Sequence, residues 1–311
     1  MKPLHDCVYE YLAMRRALGF KLKTDERLLR DFAAFMERHH AKHITVKLAI
    51  KWAQQTGSVD SNYHAGRLRA VRSFARYCIH IDPRTEIPSA GLLPRHRCLF
   101  QPHLYSADEV RRLMAASLQR RRAATSISRW TRFTLLGLLS VTGLRVSEAL
   151  NLNLPDVDLD QGILTIRNSK FGKSRLVPVH PSTRAALRSY LQRRNEYFAG
   201  RSIVPFFVSR HGKRMGHNAL YKTFVILSKK IGLRRPSDRQ GPRLHDLRHS
   251  MAVEVLRRCY RSRTDPERRL PALATYLGHT NLSYTYWYLH QNPSLMKKAM
   301  TRLEQHWENL S

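Results

Sequence analysis

Between residues 81 and 103 the apolar spacing that runs through both flanks of this 311-residue chain gives out, and Pro83, Pro88, Pro94 and Pro102 stand there with Ser89 and Gly91. Proline lacks the backbone donor a helix needs and clashes with the turn before it, so no long helix crosses this stretch. The chain is therefore expected to fold as two bodies with separate cores: residues 1–92, a linker at 93–100, and residues 101–311. Upstream, Leu4, Val8 and Leu12, then Leu28, Phe32 and Phe35, recur at the three-and-four spacing of helices. Thr24 and Thr45 are predicted N-caps, the second opening a helix over Val46–Gln54. A fourth helix, 62–79, buries Leu68, Val71 and Phe74 and presents Arg67, Arg69, Arg72 and Arg76. That row is either a binding face or the solvated face that most charged helices carry.

Downstream, Ser106 with Glu109 three residues on forms a capping box that starts a new helix. An apolar helix at 130–141 follows, and two short strands, 163–167 and 175–179, make a hairpin around Gly172. The remainder reads as helical, so the fold class is mainly α with a small β-hairpin or sheet, an α+β second domain.

Charge narrows the partner. Lys and Arg number 55 against 23 Asp and Glu, a net charge of +32, with 18 basic and 9 acidic residues in 1–100 and 37 and 14 in 101–311. Such an excess repels itself unless a polyanion neutralises it, and both halves carry it, which points to nucleic acid ahead of anionic membrane. Hydrophobic residues at 42% are enough to build cores, which excludes a disordered basic tail. The four cysteines, Cys7, Cys78, Cys98 and Cys259, are too scattered for a metal knuckle and too few for a disulfide scaffold. The first residues lack the apolar core of a secretion signal, and the longest uncharged apolar run, 133–144, is too short to span a bilayer. A cytoplasmic protein is expected.

Taken singly, the polar residues of the second half are ordinary. Arg145 and Glu148, three apart, make a local ion pair. Lys170 and Lys173 flank a hairpin tip, His245 and Arg248 share a helix face, and Tyr288 ends an aromatic stretch suited to a core. His245 and His249 have the superficial i, i+4 form of a zinc-protease helix. Asp246 replaces the glutamate, however, and Arg248 sets a cation beside any metal, so no metal is expected.

Taken in order they form a pattern. Thr142-Gly143-Leu144-Arg145-Val146-Ser147-Glu148 comes first, then Lys170-Phe171-Gly172-Lys173-Ser174-Arg175-Leu176-Val177-Pro178. His245-Asp246-Leu247-Arg248-His249 follows, and Leu277-Gly278-His279 precedes Tyr288 by nine residues counted from the histidine. The chain thereby resembles the tyrosine recombinase (phage integrase) family over its whole second domain, and the helical, basic first domain resembles that family's core-binding domain. The run Thr285-Tyr286-Trp287-Tyr288-Leu289 also resembles transposon-borne members that act in sets.

The resemblance implies a site-specific DNA recombinase acting in integration, excision or transposition. Tyr288 would attack a phosphodiester of double-stranded DNA, giving a 3′-phosphotyrosine and a free 5′-hydroxyl, and another strand's 5′-hydroxyl would reverse the step. The covalent link conserves bond energy, so no cofactor is implied. Arg145 and Arg248 would fork onto the non-bridging oxygens. Lys170 is the implied general acid, with Lys173 the rival and otherwise a backbone contact. His245 is the implied proton acceptor, His279 a hydrogen-bond donor to the phosphate, and Glu148 the acid that orients the His245 ring, a role compatible with its being a buried carboxylate paired with arginine. Spacing favours Tyr288 over Tyr284 and Tyr286 as the nucleophile. Arg67, Arg72, Lys173 and Arg243 are the expected DNA contacts. A last helix from Pro293, with Leu295, Ala299, Leu303 and Trp307 on one stripe, is expected either to pack internally or to help join four copies around two duplexes, with or without sister recombinases. The long basic connection at 257–269 is a DNA or subunit contact or a solvated loop. A type IB topoisomerase shares this chemistry and differs in product; a regulator that only binds DNA would need neither Tyr288 nor His245.

Overall fold

The computed structural model describes residues 3–95, 101–119, 126–169, 172–238, 240–261, 266–290 and 293–308. The chain divides into two compact units, Met1–Phe100 and Gln101–Ser311.

The first unit is built from α1 (Leu4–Ala17), α2 (Lys23–Arg38), α3 (Val46–Gln54) and α4 (Ser61–Cys78). The apolar faces of α2 and α4 supply Leu29, Phe32, Phe35, Leu68, Val71 and Phe74 to one core with Trp52 at its centre, each all but excluded from water. Burial of each such side chain is worth roughly 1.5–3 kcal/mol. Thr45 caps α3 as its position predicts, its hydroxyl accepting from the Leu48 amide at 3.3 Å. Thr24 caps nothing. The chain turns at Leu22, whose φ of 42° is left-handed, and α2 begins at Lys23, which leaves Thr24 inside the first turn.

The row of arginines on α4 is not one face. Arg69 and Arg76 are exposed, but Arg67 is buried. Its guanidinium lies 3.8 Å over the Trp52 ring, donates to the Trp52 carbonyl at 3.0 Å and pairs with Asp31 at 3.2 Å. An indole face and a carboxylate together hold it in the core, out of reach of a phosphate backbone. Arg72 is half-buried and donates to the carbonyls of Pro88 and Ser89, both at 2.7 Å. These bonds pin the proline-bearing segment onto the unit, and the Glu86 amide donates to Ile44 O while the Val46 amide donates to Glu86 Oε2. Leu93 is buried in the same core. The end of helical spacing at residue 81 is thus not a detachment of the segment through residue 95, because the carbonyls of Pro88 and Ser89 find arginine donors.

The second unit begins with α5 (Ala107–Leu118), α6 (Ile127–Thr142) and the short α7 (Val146–Asn151). Ser106 and Glu109 close the expected capping box at 3.1 and 2.8 Å. Strands β1 (Val157–Asp158), β2 (Ile163–Ile166) and β3 (Arg175–Pro178) form an antiparallel sheet in that order, with Leu164 opposite Val177, both fully buried. The hairpin is where the sequence puts it; the two-residue β1 is additional. Then come α8 (Pro181–Tyr197), α9 (His217–Lys230), α10 (Asp246–Arg261), α11 (Pro266–Leu277), α12 (Ser283–His290) and α13 (Pro293–Glu308). The main core lies among α5, α6, α8, α9 and the sheet. A separate apolar cluster from α10 to α13, with Leu256, Leu270, Leu277 and Leu295, encloses Tyr288. Among the described residues, no helix is long and apolar enough to cross a membrane.

Candidate active site

A helix ends with carbonyls that have no partner in the helix itself. At the end of α11 three successive carbonyls, from Tyr276, Leu277 and Gly278, are each taken by an arginine from a different part of the chain. Arg175 on β3 donates through Nε to Tyr276 O at 2.9 Å, Arg248 on α10 through Nη2 to Leu277 O at 2.7 Å, and Arg145 through Nη2 to Gly278 O at 3.1 Å. Cations at a helix C-terminus also meet the negative end of its dipole. The bend that offers these carbonyls needs glycine: Gly278 has φ +70°, and a Cβ there would fall 2.7 Å from Nη1 of Arg175.

Arg145 owes its place to the turn between α6 and α7. Gly143, φ +60°, ends α6 in the left-handed conformation, and its carbonyl accepts from Nη1 of Arg248 at 2.7 Å. Arg145 then caps α7: its amide donates to Glu148 Oε2 at 3.0 Å and its Nη1 to Glu148 Oε1 at 2.7 Å. Glu148 is buried and also accepts both prongs of Arg175, at 3.1 and 2.8 Å. Burial alone would raise its pKa, but the Arg175 and Arg145 guanidiniums overcome this and hold the carboxyl below its ordinary value. Glu148 thus anchors two arginines, accepting from the Arg145 amide and from the Arg145 and Arg175 guanidiniums; the His245 ring is not among these described donors.

Tyr288 lies on α12 at 3% exposure, whereas Tyr284 and Tyr286 face outward at 60% and 42%. Its phenol meets the Arg248 guanidinium. Burial raises the phenol pKa while Arg248 and Arg145 draw it down, with the net effect upward. The tyrosine therefore keeps its proton near neutral pH until something accepts it. His279 stacks beside the phenol, centroids 6.0 Å apart, and its Nδ1 is 2.8 Å from Oγ1 of Thr285. Burial, then Arg248, Arg145 and Arg175, push the His279 pKa down to about 4, so the ring is neutral.

His245 sits in the exposed turn just ahead of α10, not on the helix, and its ring meets His249 edge-on at 4.9 Å. His249 is buried against Trp287 and Tyr288, at 5.0 and 5.4 Å, with its pKa pushed down to about 3 by burial and then by His245, Arg243 and Arg248. The structure therefore links Arg145, Glu148, Arg248, His279 and Tyr288 directly and His245 through His249. Lys170 lies outside the described residues. Lys173 is exposed on the hairpin, and Arg243 is half-exposed, its amide and guanidinium both on Asp246. Arg67 and Arg72 belong to the first unit and are engaged there as described.

From sequence, Arg175, Gly278 and Thr285 carry no role beyond their place in the motifs, and His249 stands only as half of a rejected zinc pair. Arg175 is an unremarkable strand residue until its reach across 101 positions to Tyr276 is seen. Thr285 did carry a signal, the one aliphatic hydroxyl within Tyr284-Thr285-Tyr286-Trp287-Tyr288.

Two guanidiniums on one carboxylate, with a third against a buried phenol, make a site suited to an anion beside a tyrosine, the constellation expected of a tyrosine recombinase. Residues 104–294 match the phage integrase family, and the chain belongs to that family. It is 49% identical over 312 residues to a Sinorhizobium fredii protein carrying the name integrase/recombinase y4rB, covering 99% of both chains. It is 34% identical over 266 residues to the tyrosine recombinase XerC of Chromobacterium violaceum, covering 86% of this chain and 81% of that one. The same fold occurs in the Tn1549 transposon integrase bound to transposon right-end DNA, with TM-score 0.68 and 16% identity over 98% of this chain and 99% of that one.

Proposed function

We propose that this recombinase exchanges DNA strands at specific sites through Tyr288, by a 3′-phosphotyrosine intermediate, as part of DNA integration, excision or transposition. The observation that carries the reading is the excess of positive charge around the one tyrosine of α12 that is buried. Arg145 spends two of its five N–H donors on neighbouring protein groups, while Arg248 spends two on carbonyls and also meets the Tyr288 phenol, and the remainder suit the non-bridging oxygens of a phosphate. Charge that builds up on the pentacoordinate phosphorus centre is stabilised by groups already in place, which needs no metal ion.

In the forward step the Tyr288 oxygen bonds to phosphorus, the bond to the 5′-oxygen breaks, and Lys170 protonates that leaving oxygen. His245, at the rim, accepts the phenol proton, and His279 donates a hydrogen bond to the phosphate. Lys173 and Arg243, with exposed charge near the hairpin and ahead of α10, are backbone contacts. In the first unit Arg69 and Arg76 suit that role better than Arg67 and Arg72, because they are the exposed members of the row. The substrate is duplex DNA in the cytoplasm. Four copies act on two duplexes, alone or with sister recombinases, as the resemblance implies.

The test is incubation, in EDTA, with nicked suicide duplexes taken from the DNA flanking the gene. A covalent protein–DNA band is expected on a denaturing gel, absent in Tyr288→Phe while duplex binding persists, and the native complex should have the mass of four chains and two duplexes. A band that survives in Tyr288→Phe moves the nucleophile to another residue. A smaller native mass removes the tetramer.

A further inference from the structure

Thr285 lies three residues before Tyr288 on α12, is fully buried, and places its hydroxyl 2.8 Å from Nδ1 of His279. It ties the imidazole to the helix that carries the phenol, and the two rings lie within 26° of parallel. A hydroxyl is an unusual anchor for a histidine. A carbonyl or carboxylate can only accept and forces a proton onto the nitrogen it meets; a hydroxyl can donate and leave that nitrogen bare.

Which nitrogen is bare matters here because the ring is neutral, its pKa held at about 4 by burial and by the arginines around it. A neutral imidazole has one N–H to offer. Phosphoryl oxygens accept hydrogen bonds and do not donate them, so a ring facing a phosphate is useful only with its proton on the outward nitrogen.

We infer that Thr285 is a positioning residue that donates its hydroxyl hydrogen to His279 Nδ1, holding the ring as the Nε2–H tautomer with its single N–H free for a phosphoryl oxygen beside Tyr288. The inference rests on the recombinase reading above for the identity of the acceptor, but not for the tautomer. It also gives a reason for a polar side chain in the middle of an aromatic segment: the residue must fit a closed cavity, touch the ring and supply a hydrogen.

Two measurements test it. In protein labelled with 15N-histidine, two-bond 15N–1H spectra at neutral pH report the tautomer of each ring, and His279→Gln assigns the resonance. His279 is expected as Nε2–H in the wild type and in Thr285→Ser, and as a mixture in Thr285→Val, which keeps the shape and removes the hydroxyl. In single-turnover cleavage of the suicide duplex, Thr285→Val should be slower by about tenfold at unchanged duplex affinity, and Thr285→Ser close to wild type. An Nδ1–H ring in the wild type overturns the inference, as does a Val variant with wild-type tautomer and rate. An Nε2–H ring that collapses in the Val variant, in a protein that never forms the covalent band, upholds the positioning role of Thr285 and sinks the recombinase reading instead.

Discussion

Arg67 in the first unit and Arg248 in the second are both buried guanidiniums, and their partners differ in charge. Arg67 faces Asp31 and the Trp52 ring, so its charge is cancelled where it stands and its effect is cohesion of three helices. Arg248 is held by two carbonyls, Gly143 and Leu277, and by the Tyr288 phenol. Dipoles hold a guanidinium in position without neutralising it, so the charge stays available to an incoming anion. Position in the sequence did not separate the two; the sign of the partner does.

Removing each charge at similar length breaks or upholds this contrast. Arg248→Met should slow covalent cleavage by on the order of 10²–10³-fold. Arg67→Met should cost about 1–3 kcal/mol of stability in the first unit, read by urea melts, and leave the cleavage rate per folded molecule alone. Equal losses of rate in the two variants would erase the distinction.

A finer test compares two glycines. Gly278 and Gly91 both have positive φ, but a Cβ at Gly91 meets nothing within 4 Å, while one at Gly278 strikes the Arg175 guanidinium. Alanine at Gly91 should cost only the backbone penalty, about 1–2 kcal/mol. Gly278→Ala should cost more and should also slow cleavage, because it pushes on an arginine that shares Glu148 with Arg145. Matching losses of stability with unchanged cleavage would show that the arginine yields freely.

A further comparison is in pH. His249 and His279 have folded pKa values of about 3 and about 4, below the ordinary 6.5, so the unfolded chain binds more protons between those limits. Their contribution to stability is full above pH 6.5 and is lost as pH falls toward 3. The melting temperature of the second unit should therefore drop on going from pH 7 to pH 5, and His249→Phe should flatten that drop. A first unit that responds as steeply over the same range would assign the effect elsewhere.

What could be read in advance was what short range decides. The Thr45 cap and the Ser106–Glu109 box depend on neighbours three residues away, and the hairpin on alternation within two strands. The family was legible because the spacing of its pattern is local within each motif, even though the motifs lie far apart. Arg67 was misplaced because its partners, Asp31 and Trp52, lie 36 and 15 residues upstream, and a helical wheel carries no record of them. Thr24 failed for a related reason: a left-handed Leu22, set by the turn, moved the start of α2 by a residue or two. Arg175 and Thr285 act through contacts that exist only once α11 and α12 have packed.

The three carbonyls at the end of α11 bear on the order in which the protein is made. Arg145, Arg175 and Arg248 all leave the ribosome before residue 276, and their docking points and Tyr288 come after it. Until then Arg145 and Arg175 share Glu148, Arg248 has the Gly143 carbonyl, and the phenol that meets these cations has not been made. On the recombinase reading, a growing chain therefore stays chemically silent until the segment that assembles the pocket has also delivered the group that reacts there.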